Sequence, residues 1–179
     1  MADRAGRTPE RIAWAVELLD LRTGQEVLEG CGPGVAVDVV CRRLGSGRIT
    51  GIDRSATAIR RAESRNAAHL AAGQAVLVQT DLATFEGPTG RFHTAFAVNV
   101  NLFWTGDADA ELAVLGRALR GDGVVRLVHE RPAGARDISR TVVDNLARHD
   151  FTADVVRHPS GAMSCVTARR VAHPIATRG

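Results

Sequence analysis

Three glycines at alternate positions, Gly30, Gly32 and Gly34, lie between a short apolar stretch and an amphipathic one. Glycines in such a loop let the backbone turn sharply and approach a ligand closely, and a helix that begins beyond them offers free N–H groups to an anion. A second apolar stretch ends on Asp53, 19 residues after Gly34, where a carboxylate can accept hydrogen bonds from a ribose diol. This spacing predicts a β–α–β unit that binds an adenosine-containing cofactor.

The rest of the chain alternates between strand patterns and helix patterns. Apolar runs predict seven strands, at residues 26–29, 48–53, 75–78, 92–100, 124–128, 151–156 and 163–170. Helical spacing of apolar residues connects the first five of them, which predicts a parallel sheet with right-handed crossovers. A turn around Pro159 joins the last two strands into a hairpin and adds an antiparallel strand. We therefore expect a single α/β domain over residues 1–179.

Several finer expectations concern the ends of elements. Thr8 and Pro9 predict a helix start in which the Thr8 hydroxyl is the cap. Residues 1–24 form an N-terminal helical segment, which is a candidate lid over the cofactor and carries Trp14, although a packing role for Trp14 is an equal alternative. Residues 120–123 are rich in glycine and aspartate, which predicts a tight turn before the fifth strand. Residues 172–179 are expected to form a loose tail.

Composition sets limits on the class of protein. Hydrophobic residues make up 45% of the chain, and no apolar run is long enough to span a bilayer. The N-terminus lacks the apolar core of a signal sequence, so we expect a cytoplasmic protein without a membrane partner. All 23 basic residues are scattered arginines without interleaved aromatic residues, so no nucleic-acid partner is expected despite the net charge of +3. The bias toward alanine, arginine and glycine is typical of a high-GC bacterial genome.

The cysteines and histidines give no sign of a metal or a disulfide framework. Cys31, Cys41 and Cys165 lack the paired C-x-x-C spacing that would indicate a zinc site or a disulfide framework. Cys31 lies between two glycines of the loop, where a small and adaptable side chain fits. We therefore predict no metal site, and we interpret Cys31 as a residue of the cofactor loop.

Four segments, in the right order, resemble the class I S-adenosylmethionine-dependent methyltransferases along nearly the whole chain. Residues 30–34 match the family's glycine loop, and residues 49–55 resemble the motif whose acid holds the ribose. Residues 80–82 resemble the motif whose aspartate accepts from the adenine amino group, and residues 118–123 resemble the turn before the fifth strand. The resemblance implies S-adenosyl-L-methionine as the cofactor. It also implies a Rossmann-like, doubly wound, mostly parallel seven-stranded sheet with an antiparallel C-terminal hairpin strand.

The resemblance also assigns the cofactor contacts. The implied cofactor-binding residues are Glu29, Gly30, Cys31, Gly32, Gly34, Asp53, Arg54, Asp81, Leu82 and Asn99. One departure from the family concerns Glu29, which directly precedes the first glycine, whereas the family places its acid two residues before that glycine. Because successive strand side chains point to opposite faces, we expect either a reoriented Glu29 or a local bulge. A structural role for Glu29, capping the loop amides, is an equal alternative.

Methyl transfer is an in-line displacement, for which the enzyme mainly supplies alignment and excludes water. Three candidate catalytic residues lie near the ends of the fourth and fifth strands. Asn101 can form hydrogen bonds with the acceptor, Trp104 can form a wall against the methyl group, and His129 can act as a base near neutral pH. Structural alternatives remain open, in which Asn99 caps the end of the strand, Trp104 belongs to the core, and His129 is a hydrogen-bonded structural residue. The acceptor is interpreted as a small bacterial metabolite or natural product, with a second subunit of a homodimer or the N-terminal helix as its cover.

Two other functions remain open. A nicotinamide-dependent reductase uses the same kind of β–α–β unit, but its fingerprint requires glycine or alanine where this chain has Val35. A protein that binds S-adenosylmethionine without transferring the methyl group is the other alternative, and the unusual position of Glu29 favours it. Calorimetric titration with both kinds of cofactor separates these hypotheses.

Overall fold

Seven strands form one twisted sheet in the computed structural model, which describes residues 8–30, 32–132 and 134–171. The strands are β1 Glu26–Gly30, β2 Arg48–Asp53, β3 Ala75–Gln79, β4 Phe92–Val98, β5 Leu119–Glu130, β6 Phe151–Arg157 and β7 Met163–Arg170. Their order is β3-β2-β1-β4-β5-β7-β6. The first five pair in parallel, and β7 runs antiparallel between β5 and β6. The predicted fold class is confirmed.

Helices cover both faces of the sheet. They are α1 Glu10–Leu18, α2 Val35–Leu44, α3 Ala56–Arg65, α4 Ala67–Ala71, α5 Leu102–Thr105, α6 Asp109–Ala118 and α7 Ser139–Ala147, with a 3₁₀ turn at Leu82–Thr84. The helices α1 and α2 bury Val16 and Val37 on one face, while α5, α6 and α7 bury Phe103, Leu112 and Leu146 on the other. Burial of each such side chain contributes about 1.5–3 kcal/mol, which anchors the helices on the sheet. Within the described residues, no helix is long and apolar enough to cross a membrane.

The N-terminal helix is packed onto the sheet. Pro9, and not Thr8, occupies the N-cap position of α1, and no side chain caps the helix. The Pro9 carbonyl accepts hydrogen bonds from the N–H groups of Ile12 and Ala13, so Pro9 stands before the first helical residue. Trp14 makes an edge contact with the His158 ring, with 5.1 Å between ring centroids. The expectation of a loose tail concerns residues that lie outside the described ranges.

Two strand boundaries differ from those predicted. The strand β4 ends at Val98 because Asn99 adopts a left-handed conformation, with φ at 57°. The strand β5 begins at Leu119, which pairs with Phe92, so residues 120–123 belong to the strand and the predicted tight turn is wrong. A register irregularity between Phe92 and Thr94 accommodates the glycine-rich residues within β5. None of residues 120–123 has a partner in β4, because the pairing passes directly from Leu119 with Phe92 to Val124 with Thr94.

Candidate active site

A cleft of about 230 Å³ lies at the carboxyl ends of the parallel strands. It spans the point between β1 and β4 where the strand order reverses, which is where open α/β sheets bind ligands. The lining residues are Gly30, Ile52, Asp53, Arg54, Thr80, Asp81, Leu82, Asn99, Val100, Asn101, Leu102, Phe103 and Glu111. Three carboxylates and one guanidinium give the cleft a negative charge. In the described part of the chain, no group of three His, Cys, Asp or Glu side chains could hold a metal ion.

Asp53, at the end of β2, is nearly buried and joins the glycine loop to the start of α3. Its Oδ2 accepts a hydrogen bond from the Gly32 N–H at 3.0 Å, and its Oδ1 accepts one from the Ser55 N–H at 2.7 Å. Ser55 in turn caps α3 by accepting from the N–H of Ala58. The carboxylate assigned to the ribose by the resemblance is therefore also the carboxylate that fixes the loop.

The glycine loop approaches α3 closely at its far end. Gly34 has a φ of 80° and is the N-cap of α2. A Cβ atom at this position would lie 2.5 Å from the Asn66 Nδ2 and 2.7 Å from the Ala62 Cα, so only glycine fits both the conformation and the space. Gly30 lines the cleft itself, whereas Gly32 and Gly34 do not. Cys31 lies outside the described residues.

Glu29 is buried beneath the loop and does not line the cleft. The strand does not bulge here, because Glu29 stays in register with Gly51 of β2 and Phe96 of β4. Its Oε1 would lie 3.2 Å from a Cβ atom on Gly32, so the carboxyl group supports the loop from below. Burial, and then the nearby Asp53 carboxylate, raise the pKa of Glu29 from 4.5 to about 8. Glu29 is therefore mainly protonated at neutral pH.

The end of the cleft beyond β3 carries Asp81 and Leu82, both predicted from the sequence. The Asp81 Oδ1 accepts a hydrogen bond from the Ala83 N–H at 3.0 Å and so caps the 3₁₀ turn. Two polar residues that line the cleft were not predicted as site residues, namely Thr80 and Glu111. Thr80 precedes Asp81 directly and could have been found as its neighbour. Glu111 comes from α6, and no sequence signal marks it, because the packing of α6 alone decides where that side chain points.

The segment after β4 forms the remaining wall. The Asn99 N–H donates to the Val128 carbonyl at 2.8 Å, and the Asn99 Oδ1 accepts from the Glu130 N–H at 2.7 Å. This side chain therefore joins the ends of β4 and β5 at the edge of the cleft. Asn101 precedes α5, which brings Leu102 and Phe103 into the cleft.

His129 and Trp104 lie beside each other but do not line the cleft. The His129 ring is 3% exposed, its Nε2 lies 3.1 Å from the Ser139 Oγ, and its centroid lies 5.9 Å from that of Trp104. Burial lowers the pKa of His129, so the ring is neutral at neutral pH. Of the three candidate catalytic residues, the structure brings Asn101 alone to the cleft.

Comparison with known proteins connects this geometry to a family. The family described as "Methyltransferase domain" matches residues 27–123, which include the glycine loop, Asp53, Asp81 and the segment after β4. A curated relative, trans-aconitate 2-methyltransferase from Paracidovorax citrulli (strain AAC00-1), is 32% identical over 122 residues. That alignment covers 66% of this chain and 45% of the relative, so the chain spans less than half the length of the curated relative.

Solved structures agree with the fold. A SAM dependent methyltransferase from Aquifex aeolicus superposes with a TM-score of 0.77 and 14% identity, covering 89% of each chain. The cyclase SpnF superposes with a TM-score of 0.76 and 15% identity, covering 90% of this chain and 81% of that one. The predicted family, fold and cofactor agree with these findings. By its family match, its sheet and the position of its cleft, this chain belongs to the class I S-adenosylmethionine-dependent methyltransferases.

Proposed function

We propose that the protein transfers the methyl group of S-adenosyl-L-methionine to a small-molecule acceptor, a bacterial metabolite or natural product. The observation that carries this proposal is one cleft that brings together Gly30, Asp53 and Asp81 at the topological switch point. Family membership supports it. The curated relative is named for methylating trans-aconitate, so small carboxylic acids are the first acceptors to test.

The residues of the cleft fit the cofactor in their chemistry. Asp53 would accept hydrogen bonds from the ribose hydroxyls, and Asp81 would accept from the adenine amino group. The apolar side chains of Leu82, Leu102 and Phe103 line the same cleft and would contact the base. When bound, the cofactor supplies a methyl group already activated on a sulfonium, so the protein contributes alignment and excludes water.

The segment after β4 contributes two amide side chains to the lining of the cleft. Asn99 is fixed by the end of β5, and Asn101 is free of such a bond among the described residues while it lines the same wall. An amide in this place orients an acceptor oxygen or nitrogen by hydrogen bonding, without taking its proton. We therefore propose catalysis by positioning, with Asn101 as the acceptor contact.

The position of His129 leads to a prediction about acid–base catalysis. We expect His129→Asn to lower kcat by less than about tenfold, since removal of a general base typically lowers the rate by about 10²–10⁴. The reason is that the His129 imidazole is covered and contacts Ser139. Steady-state kinetics across the neutral pH range, together with a melting temperature for the variant, check this. A loss of a hundredfold or more in a stable variant would instead identify His129 as the base.

The cofactor assignment is tested by calorimetry. We expect S-adenosylmethionine and S-adenosylhomocysteine to bind with a Kd of about micromolar, and NAD not to bind. Asp53→Ala should weaken binding by about 1–3 kcal/mol, because the ribose hydroxyls that donate hydrogen bonds to its carboxylate lose their acceptor. The control is Asp122→Ala, which alters an exposed aspartate paired with Arg120. Unchanged affinity in Asp53→Ala would remove the ribose assignment.

A transfer assay separates the proposed enzyme from its alternatives. Formation of S-adenosylhomocysteine is measured with a panel of small carboxylic acids, phenols and amines. Turnover with any of them supports the proposal. Binding without turnover across the panel favours a cofactor-binding protein, and the likeness to a cyclase shows that this fold carries other activities. Saturable binding of NAD alone favours the reductase.

The remaining parts of the proposal concern context. We place the protein in the cytoplasm, as a single domain, acting on a small molecule without a nucleic-acid or membrane partner. A homodimer is the arrangement in which a second subunit would cover the acceptor. Light scattering of the purified protein, with and without S-adenosylhomocysteine, measures whether the dimer forms and whether the cofactor product promotes it.

A further inference from the structure

Asn66 is a fully buried asparagine between α3 and α4, next to the far end of the glycine loop. Its Nδ2 donates one hydrogen bond to the Ala62 carbonyl at 2.8 Å and another to the Gly34 carbonyl at 3.0 Å. Asn66 does not line the cleft, so it cannot contact a ligand there. Among the described residues, its hydrogen bond to the Gly34 carbonyl connects it to the glycine loop.

The Gly34 carbonyl is a junction between three elements. It accepts from the Asp38 N–H at 3.2 Å, which is the first turn of α2, and also from Asn66. The Cα of Gly34 faces the C-terminal end of α3, because a Cβ atom there would contact Asn66 and Ala62. The end of the loop is therefore seated directly on α3, with the Asn66 amide as its hydrogen-bond donor.

The other end of the loop is fixed on the cleft side. The Gly32 N–H donates to the Asp53 Oδ2 at 3.0 Å, and Asp53 lines the cleft. The loop thus lies between two contacts, with Asp53 at one end and Asn66 at the other. Since Gly32 and Gly34 are two residues apart, a displacement of Gly34 moves Gly32 and changes the setting of the Asp53 carboxylate.

The Asn66 side chain is not what stability alone would favour at this position. Its Oδ1 is buried and has no hydrogen-bond partner among the described residues. A buried acceptor without a partner is unfavourable, and an apolar residue of similar size would avoid that cost. What asparagine supplies in return is one amide that reaches two backbone carbonyls at once.

We propose that Asn66 is a positioning residue, which acts through Gly34 to hold the glycine loop and Asp53 in the conformation that binds the cofactor. The proposal rests on the proposed function for the identity of that cofactor. The bond to Gly34, and not burial of the side chain, is the part that acts on the site. A substitution that removes this bond alone should loosen the loop and weaken cofactor binding while the sheet stays folded.

Two variants and one control isolate the bond. In Asn66→Ser, the hydroxyl can still bond the carbonyl four residues earlier, that of Ala62, as serine commonly does in helices, but it is too short to reach Gly34. Asn66→Leu keeps the branched shape and the number of side-chain heavy atoms, and it removes the amide that donates both hydrogen bonds. The control is Val166→Ala, which truncates a fully buried side chain of β7 that does not line the cleft. It reports the effect of lost stability alone.

Three measurements are made on the full chain: hydrogen exchange of the loop without ligand, calorimetric affinity for S-adenosylmethionine, and melting temperature. In Asn66→Ser we expect exchange at residues 32–38 to be about tenfold faster and the Kd to rise about tenfold. At saturating S-adenosylmethionine, kcat should stay within about threefold of the wild type. Val166→Ala should lower the melting temperature without either change.

The proposal is overturned if folded Asn66→Ser shows loop exchange and Kd within about twofold of the wild type. If that variant fails to fold, the same criteria apply to Asn66→Leu, which leaves no cavity and no orphaned acceptor. Equal changes in Val166→Ala would also overturn it, because they would trace the effect to stability. If the wild type does not bind S-adenosylmethionine, the proposed function fails, whereas the exchange comparison still decides the role of Asn66.

Discussion

Glu29→Gln will remove most of the decrease in the free energy of unfolding that we expect of the wild-type protein between pH 4.5 and about pH 8. The pKa of Glu29 rises in the fold, so the folded state keeps a proton that the unfolded state loses as the pH increases. The free energy of unfolding therefore decreases through this window and levels off above the folded pKa. At 1.36 kcal/mol for each pKa unit, the expected decrease is of the order of 5 kcal/mol. Glutamine keeps the shape and the neutral state of the protonated acid.

Urea unfolding at intervals from about pH 5 to pH 9 measures this effect in the wild type and the variant. Glu17→Gln is the matched control, because it makes the same chemical change on an exposed position of α1. The control should follow the wild-type curve, while Glu29→Gln should be flatter and more stable at the alkaline end. Parallel curves for the wild type and Glu29→Gln would show that Glu29 ionises in the fold as it does in water.

Burial is the main cause of the raised pKa of Glu29, and the neighbouring Asp53 carboxylate raises it further. Two carboxylates close together beneath one loop cannot both ionise cheaply, and the more deeply buried one keeps its proton. Asp53 accepts hydrogen bonds from the N–H groups of Gly32 and Ser55, so it is the carboxylate that holds the loop on the cleft side. Glu29, one residue closer to the first glycine than the acid of the family, therefore packs against the glycine loop and does not line the cleft.

The parts of the site at strand ends could be predicted from the sequence. Glycine spacing and apolar runs are local signals, and they identify β1, the loop and β2 without knowledge of the tertiary structure. Because parallel strands end at one edge of the sheet, Gly30, Asp53, Asp81 and Asn99 could be placed together, and all four line the cleft.

The parts that depend on helix packing could not be predicted. Asn66 has the sequence pattern of any polar residue at a helix end, and its bond to Gly34 depends on how α3 packs against the start of α2. His129 was placed at the correct edge of the sheet, but its β5 side chain points to the face covered by α5 and α7, where Trp104 and Ser139 enclose it. The position of a residue at a strand end determines the edge of the sheet at which it lies, whereas the packing of neighbouring helices determines whether its side chain reaches the cleft.

Gly34→Ala will destabilise the protein by about 2–4 kcal/mol and remove measurable binding of S-adenosylmethionine. The left-handed φ of 80° costs an alanine about 1 kcal/mol or more. The added Cβ would also lie 2.5 Å from the Asn66 Nδ2 and 2.7 Å from the Ala62 Cα, and overpacking of this kind costs about 1–3 kcal/mol. Because the α3 backbone cannot move away without leaving β2 and β3, the loop must move, and it carries Gly32 away from Asp53.

Gly73→Ala separates the two causes. Gly73 has a similar φ of 70°, but a Cβ atom there has no neighbour within 4 Å. We expect this variant to lose about 1 kcal/mol of stability, the backbone cost alone, and to bind S-adenosylmethionine like the wild type. Urea unfolding and calorimetry on both variants give the comparison. Equal losses of stability in the two variants would mean that α3 moves aside for the added Cβ atom at little cost. Retained binding in Gly34→Ala would mean that cofactor affinity does not depend on the packing of the loop against α3.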